Sequence, residues 1–247
     1  MRSKGLFLIL LSALPSTGSG ATLFDDDFDY SDGNLAGNAG WANHSGTGSL
    51  IQVSSSTVIM SHGSGSREDI NITFAPTNSG ILSALFTLTV NNDAPISGSD
   101  FEYFAHFGTG GGEGNSVTDF VSRLDIVAPA DSEGFDFTLG LSSMSSTAEL
   151  VYGNDFTFGS PITVLLDYNI DAGLSSLKIN SGDTVTTETV GPTGLDFSAF
   201  AFRQSNSSSD ETITIGSLTI SDSTTIPEPS SALLGILSLL GLLRRRR

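Results

Sequence analysis

Hydrophobic and polar positions alternate in short runs along most of the chain, and no stretch between residues 50 and 220 sustains the apolar period of a helix. In "FDFTLGL" (135–141), Phe135, Phe137, Leu139 and Leu141 fall on one face of an extended segment, with Asp136, Thr138 and Gly140 on the other. That pattern predicts a half-buried strand. Similar runs, rich in β-branched and aromatic residues and bounded by Gly, Pro, Asn and Asp, predict strands over 50–60, 69–74, 81–90, 101–107, 120–127, 148–152, 162–170, 174–179, 184–190, 197–203 and 212–220. Within "YNIDAGLSSLKIN" (168–180), two strands join at Asp171, Ala172 and Gly173, where glycine can take the positive φ of a tight hairpin. Strands in this number, with no repeat of blade length, predict an all-β fold: a two-sheet antiparallel β-sandwich.

Both ends of the 247-residue chain break the pattern. Arg2 and Lys4, the apolar run 5–14 and the small residues 19–21 occur in the order of a secretory signal, which predicts a signal helix over 1–21 and a mature start near Thr22. The sandwich is then expected over 22–220, a polar linker over 221–226 and a separate tail over 227–247. The low-complexity runs 108–116 and 203–212 read as surface loops.

Charge narrows the function. Of ten basic residues only Arg67, Arg123, Lys178 and Arg203 lie within 22–226, against 26 acidic residues (27 less Glu228), a net charge of −22. Such a body repels phosphate backbones, which argues against nucleic acid as a partner. The chain has no cysteine, so an exported domain would depend on core packing without disulfides.

The tail reads "IPEPSSALLGILSLLGLLRRRR" (226–247). Pro227 and Pro229 around Glu228 prevent a strand from continuing and favour an extended, accessible segment. The twelve residues 232–243, apolar apart from Ser238, Gly235 and Gly241, would span about 18 Å as a helix, against about 30 Å of bilayer hydrocarbon. That length makes a marginal transmembrane anchor, helped if Arg244, Arg245, Arg246 and Arg247 snorkel and remain cytoplasmic. The Pro-Glu-Pro triplet, apolar helix and arginine run together resemble the PEP-CTERM sorting signal of Gram-negative bacteria. The resemblance implies as partner an exosortase, a membrane-embedded transpeptidase that processes such tails near the motif. It also implies export through the secretion machinery, attachment to the inner membrane before processing, and a cell-surface or extracellular location afterwards.

A second resemblance covers most of 24–220. "DFDYSDGNLAGNAGWANHSGTG" (27–48), "YFAHFG" (103–108), "LLDYNIDAGLSSLKIN" (165–180) and the segments "FAFRQ" and "ITIGSLTI" are similar to the concanavalin A-like, LamG-type jelly rolls, a superfamily of lectins, glycoside hydrolases and adhesion modules. Fold alone therefore leaves the activity open. Glycoside hydrolysis needs two carboxyls flanking the bond. Glu102 in "FEYFAHF" has no second acid on its face, and the Glu-x-Asp-x-x-Glu spacing of laminarinase-like enzymes is missing. His44, His62 and His106 lack metal-ligand spacing, and no Gly-x-Ser-x-Gly elbow occurs, so no catalytic residues are assigned. In "DDDFDYSDGN" (25–34), Asp27, Asp29 and Asp32 could supply oxygen ligands to calcium or simply face solvent while Phe28 and Tyr30 pack inward. Trp41, the one tryptophan, lies in a Gly-rich segment and could stack on a sugar or close the end of the core. The expectation is a non-enzymatic exported protein with a structural or adhesive role at the surface or in exopolysaccharide matrix, requiring no cofactor. The alternative is a lectin-like carbohydrate-binding module, and behind it a divergent glycoside hydrolase.

Overall fold

The computed structural model describes residues 20–63, 67–98, 102–131, 133–205 and 210–223, with the side chain of Glu102 outside the description. The expected signal helix, the C-terminal helix, the triplet Pro227, Glu228, Pro229 and Arg244 to Arg247 lie outside the described residues. Within them there is no helix, and the chain forms β1 Ala21–Asp26, β2 Gly33–Asn34, β3 Ala42–Ser45, β4 Gln52–Ser54, β5 Thr57–Ser61, β6 Asp69–Thr77, β7 Ile81–Asn91 and β8 Glu102–Gly110. The second half adds β9 Val117–Val127, β10 Thr138–Ser142, β11 Leu150–Val151, β12 Ile162–Asn169, β13 Leu174–Ile179, β14 Val185–Thr186, β15 Phe197–Arg203 and β16 Thr212–Ser223.

These strands build the expected two-sheet antiparallel sandwich. One sheet has nine strands, in the order β14-β13-β12-β7-β16-β5-β4-β2 with β1 also paired to β16; the other has seven, in the order β11-β10-β9-β8-β15-β6-β3. Period-two patterning drives the assembly. On β7, Leu82, Ala84, Phe86, Leu88 and Val90 are all buried while the residues between them are exposed or half-buried. Phe86 meets Phe200 and Phe202 of the seven-stranded sheet at centroid distances of 6.3 and 6.5 Å, so these rings join the two layers. On β16, Ile213 and Ile215 face inward, and so do Leu218 and Ile220. The change of phase is absorbed by a bulge at Gly216 and Ser217, without which the second pair would point to solvent.

Several expected elements change. The single strand over 50–60 is two strands, folded back at Ser55 and Ser56 with φ of 52° and 57°. Positive φ at both central positions is the type I′ geometry, which pattern alone did not signal because neither residue is glycine or asparagine. In 135–141 the alternation fails: Phe135 is 38% exposed, whereas Thr138 and Gly140 are buried along with Leu139 and Leu141. The 143–154 segment covers the second face, with Thr138 Oγ1 donating to Asn154 O at 2.7 Å and Ala148 Cβ 2.6 Å from where a β-carbon on Gly140 would sit. No strand was expected in 22–49, yet β1, β2 and β3 lie there. β16 also runs on to Ser223, three residues into the stretch read as a linker, and there pairs with β1 and β7.

Candidate functional site

Residues 35–41 form a tight loop closed by Trp41 N–H donating to Asn38 O (2.8 Å) and Gly37 N–H donating to Trp41 O (2.8 Å). Gly37 and Gly40 both have φ of 94°, a conformation that L side chains avoid. The loop drives the Trp41 ring into the end of the core. It stacks on Phe202 at 5.4 Å and 12°, meets the edge of Phe24 at 6.0 Å, and is 1% exposed. A ring so covered fills the core-closing role, one of the two expected for Trp41, and it also borders a cleft.

Its indole nitrogen donates to Asp26 Oδ2 at 2.8 Å. The same buried carboxylate accepts the Tyr30 hydroxyl (2.8 Å) and the Phe28 backbone N–H (2.8 Å). Burial, then the hydrogen bond and charge of Asp26, push the Tyr30 pKa well above that of a free phenol. Sequence reasoning passed over Asp26 in favour of its neighbours. Asp27 is exposed. Asp32 accepts from Ser55 N–H at 3.0 Å and Ser54 Oγ at 3.4 Å, and Asp29 Oδ1 lies 3.5 Å from Ser56 Oγ. Asp29 and Asp32 thus brace the β4–β5 turn, and among the described residues no three acidic or histidine side chains converge as a metal-ligand set.

The histidines are equally dispersed in role. His62 Nδ1 is 2.8 Å from Glu211 Oε1 in a buried pair. His44 is half-buried, its Nδ1 3.1 Å from Asn71 Nδ2, and burial lowers its pKa against the opposing pull of Asp69. His106 lies under the seven-stranded sheet's outer surface, where burial lowers its pKa to about 3 and keeps it neutral. Glu102 opens β8, opposite Ile126 of β9.

A cleft of about 630 Å³ opens beside the buried tryptophan. Gly37 and Gly40 line one side, Asn43 and Thr73 lie on β3 and β6, and Gly112 and Glu113 come from the β8–β9 loop. One residue sets this geometry. Asn71, wholly buried, accepts Gly112 N–H at 2.8 Å and donates to Ala42 O at 3.1 Å, so a single amide ties the glycine loop to the edge strand. Gly112 has φ of 92°, and a β-carbon on the adjacent Gly111 would come within 2.7 Å of Asn71 Oδ1. The run 108–116, read as a surface loop, ends β8 at Gly110 and then contributes Gly112 and Glu113 to the cleft. Sequence reasoning missed Asn43, Asn71, Thr73 and Glu113 as site residues; the signal available was the glycine clustering on both sides.

Bare glycine backbone permits close approach of a ligand, while an amide, a hydroxyl and a carboxylate supply acceptors and donors for hydroxyl groups. Glu113 supplies a carboxylate among the described residues that line the cleft.

No family model matches the chain, and no curated protein matches it in sequence. Solved structures share its fold. The basic winged bean lectin with Tn-antigen is 11% identical with a TM-score of 0.53, covering 83% of this chain and 99% of that one. Lectin II from Ulex europaeus is 12% identical with a TM-score of 0.54, over 83% and 100% of the two chains. The carbohydrate recognition domain of Emp47p is 12% identical with a TM-score of 0.50, over 84% and 100%. The sandwich accordingly shares the concanavalin A-like jelly-roll fold of these structures.

Proposed function

We propose that the chain is an exported carbohydrate-binding protein that holds a glycan in the cleft between the 37–43 segment and the 112–113 loop and performs no chemistry on it. The observation that carries this reading is the cleft itself: two glycine-rich walls, pinned together by Asn71, present Asn43, Thr73 and Glu113 on a fold shared with lectins. Hydroxyl-rich ligands suit such a lining. A structural or adhesive role follows if the glycan belongs to a matrix polysaccharide. In this reading the Pro227-Glu228-Pro229 tail delivers the sandwich to the surface through an exosortase.

The reading is tested on a glycan array with the wild type, Asn43→Ala and Glu113→Gln. Each variant is expected to lose about tenfold or more in affinity for the retained glycan, as the loss of a ligand hydrogen bond to an amide or carboxylate predicts. A blank array, or unchanged binding by both variants, would sink it. Trp41→Ala reports on core stability instead, because its ring is inside.

A further inference from the structure

The seven-stranded sheet carries a second feature on its outer face. Phe200 and Phe202 of β15 point into the core, so Ala199, Ala201 and Arg203 point away from it. Their register partners share that outer face: Asp69, Asn71 and Thr73 on β6, and His106 and Gly108 on β8. Next to His106 stands a cluster of Tyr103, Phe120, Arg123 and Arg203, each half-buried.

The Arg203 guanidinium lies 4.3 Å from the Tyr103 ring centre and that of Arg123 lies 4.9 Å from it, with Arg123 also 5.2 Å from the Phe120 ring. Two of the four basic residues in a body of net charge −22 therefore converge on one tyrosine. A third, Arg67, immediately precedes β6, and only Lys178, on β13, belongs to the nine-stranded sheet. Asp69 is 3.9 Å from Arg203 Nε, and the buried Asp125 stands opposite Tyr103 in the β8–β9 ladder. Arg123 Nε is buried and finds no hydrogen-bond acceptor among the described residues. A guanidinium resting over aromatic rings keeps its outer in-plane N–H groups for an anion. Beneath the cluster, His106 is 4.3 Å from Phe120, its Nδ1 is 3.1 Å from Phe107 O, and it carries no charge.

We infer that the platform of Tyr103, Phe120, Arg123 and Arg203 is a binding subsite for an anionic sugar, one bearing a carboxylate or sulfate, and that the two arginines gathered here let an acidic polysaccharide bind at this patch although the acidic surface elsewhere repels polyanions. Arg123, held over the Tyr103 and Phe120 rings, takes the anion of the sugar. The platform shares its sheet face with Asn71 and Thr73, so a polymer lying across the strands reaches both the platform and the cleft. The inference rests on the carbohydrate-binding reading above.

The test measures retention of the full chain on polygalacturonate, dextran sulfate and neutral dextran. The wild type is expected to prefer the acidic polymers, and that preference is expected to fade as salt rises from about 50 to 500 mM. Arg123→Gln is expected to lose about tenfold or more on the acidic polymers alone. Arg123→Lys, which keeps the charge but not the fork, is expected to fall between. Preference for one acidic polymer over the other identifies the anion as carboxylate or sulfate. If Arg123→Gln melts like the wild type and keeps the wild-type affinity for the acidic polymers, or loses neutral and acidic binding alike, the subsite is overturned. The cleft reading then stands or falls on Asn43→Ala and Glu113→Gln. Wild-type chain that ignores all three polymers and also leaves the glycan array blank removes both.

Discussion

Asp26 shows how one side chain organises the end of a core. Its carboxylate takes donors from Trp41, Tyr30 and the Phe28 backbone, all at 2.8 Å, and it is only 7% exposed. Removing an acceptor from a buried donor costs about 1–3 kcal/mol each, so Asp26→Ala is expected to destabilise the sandwich by roughly 3 kcal/mol or more. Urea denaturation followed by Trp41 fluorescence measures this, and a midpoint unchanged from the wild type would refute it. In the sequence Asp26 is one of three consecutive aspartates, and nothing in composition separates it from Asp25 and Asp27. Only the arrival of Trp41 from fifteen residues away makes it the buried one. The same holds for Asn71, which the pattern places on a strand but which becomes important because Ala42 and Gly112 approach it from two other segments.

At the scale of elements, turn chemistry decides where patterning stops being informative. The hairpin at Asp171 to Gly173 is legible because Gly173 supplies the positive φ, here 68°, and a β-carbon there would lie 2.5 Å from Gly191 O. The β4–β5 hairpin is not legible, since Ser55 and Ser56 adopt positive φ without the residues that favour it. Asp32 compensates by accepting the Ser55 N–H. Replacing the pair by the favoured dipeptide, Ser55→Asn with Ser56→Gly, keeps that backbone donor and relieves the strain. The double variant is expected to gain about 1 kcal/mol, a rise in Tm of about 2–4 °C by calorimetry. A lower Tm would mean that the Ser56 hydroxyl contact to Asp29 outweighs backbone preference. β10 teaches the complementary lesson: its alternating sequence predicts one wet face, but the following loop covers that face, and burial there reflects tertiary context.

For the whole molecule, the pairing of the first strand with the last brings Ala21 opposite Asp222, so both boundaries of the sandwich meet at one place in the nine-stranded sheet. The proposed processing of the tail is testable in the intact protein, in a host that carries an exosortase. Intact mass and cell fraction are expected to show loss of the residues after the Pro-Glu-Pro region from the wild type, and retention of the full tail in Glu228→Ala. An uncut tail in both would leave a simple anchor and end the exosortase reading. Charge is also a property of this scale. The acidic excess is spread along the chain, yet the fold gathers Arg123 and Arg203 around Tyr103.

The sequence by itself determined the class of fold, because period-two burial is a local property: strands that alternate and carry no helical period must pack as sheets, and a chain of this length closes them into a sandwich. It also marked the Gly-rich segments that became the two walls of the cleft. The tertiary structure alone decided which face of each residue is used. Trp41 lies in the right segment but turns its ring inward onto Phe202, because the 35–41 loop and Asp26 pull it there. The cleft and the arginine platform join residues up to 100 positions apart (Tyr103 and Arg203), and contacts of that separation depend on strand order and register, which no local periodicity encodes.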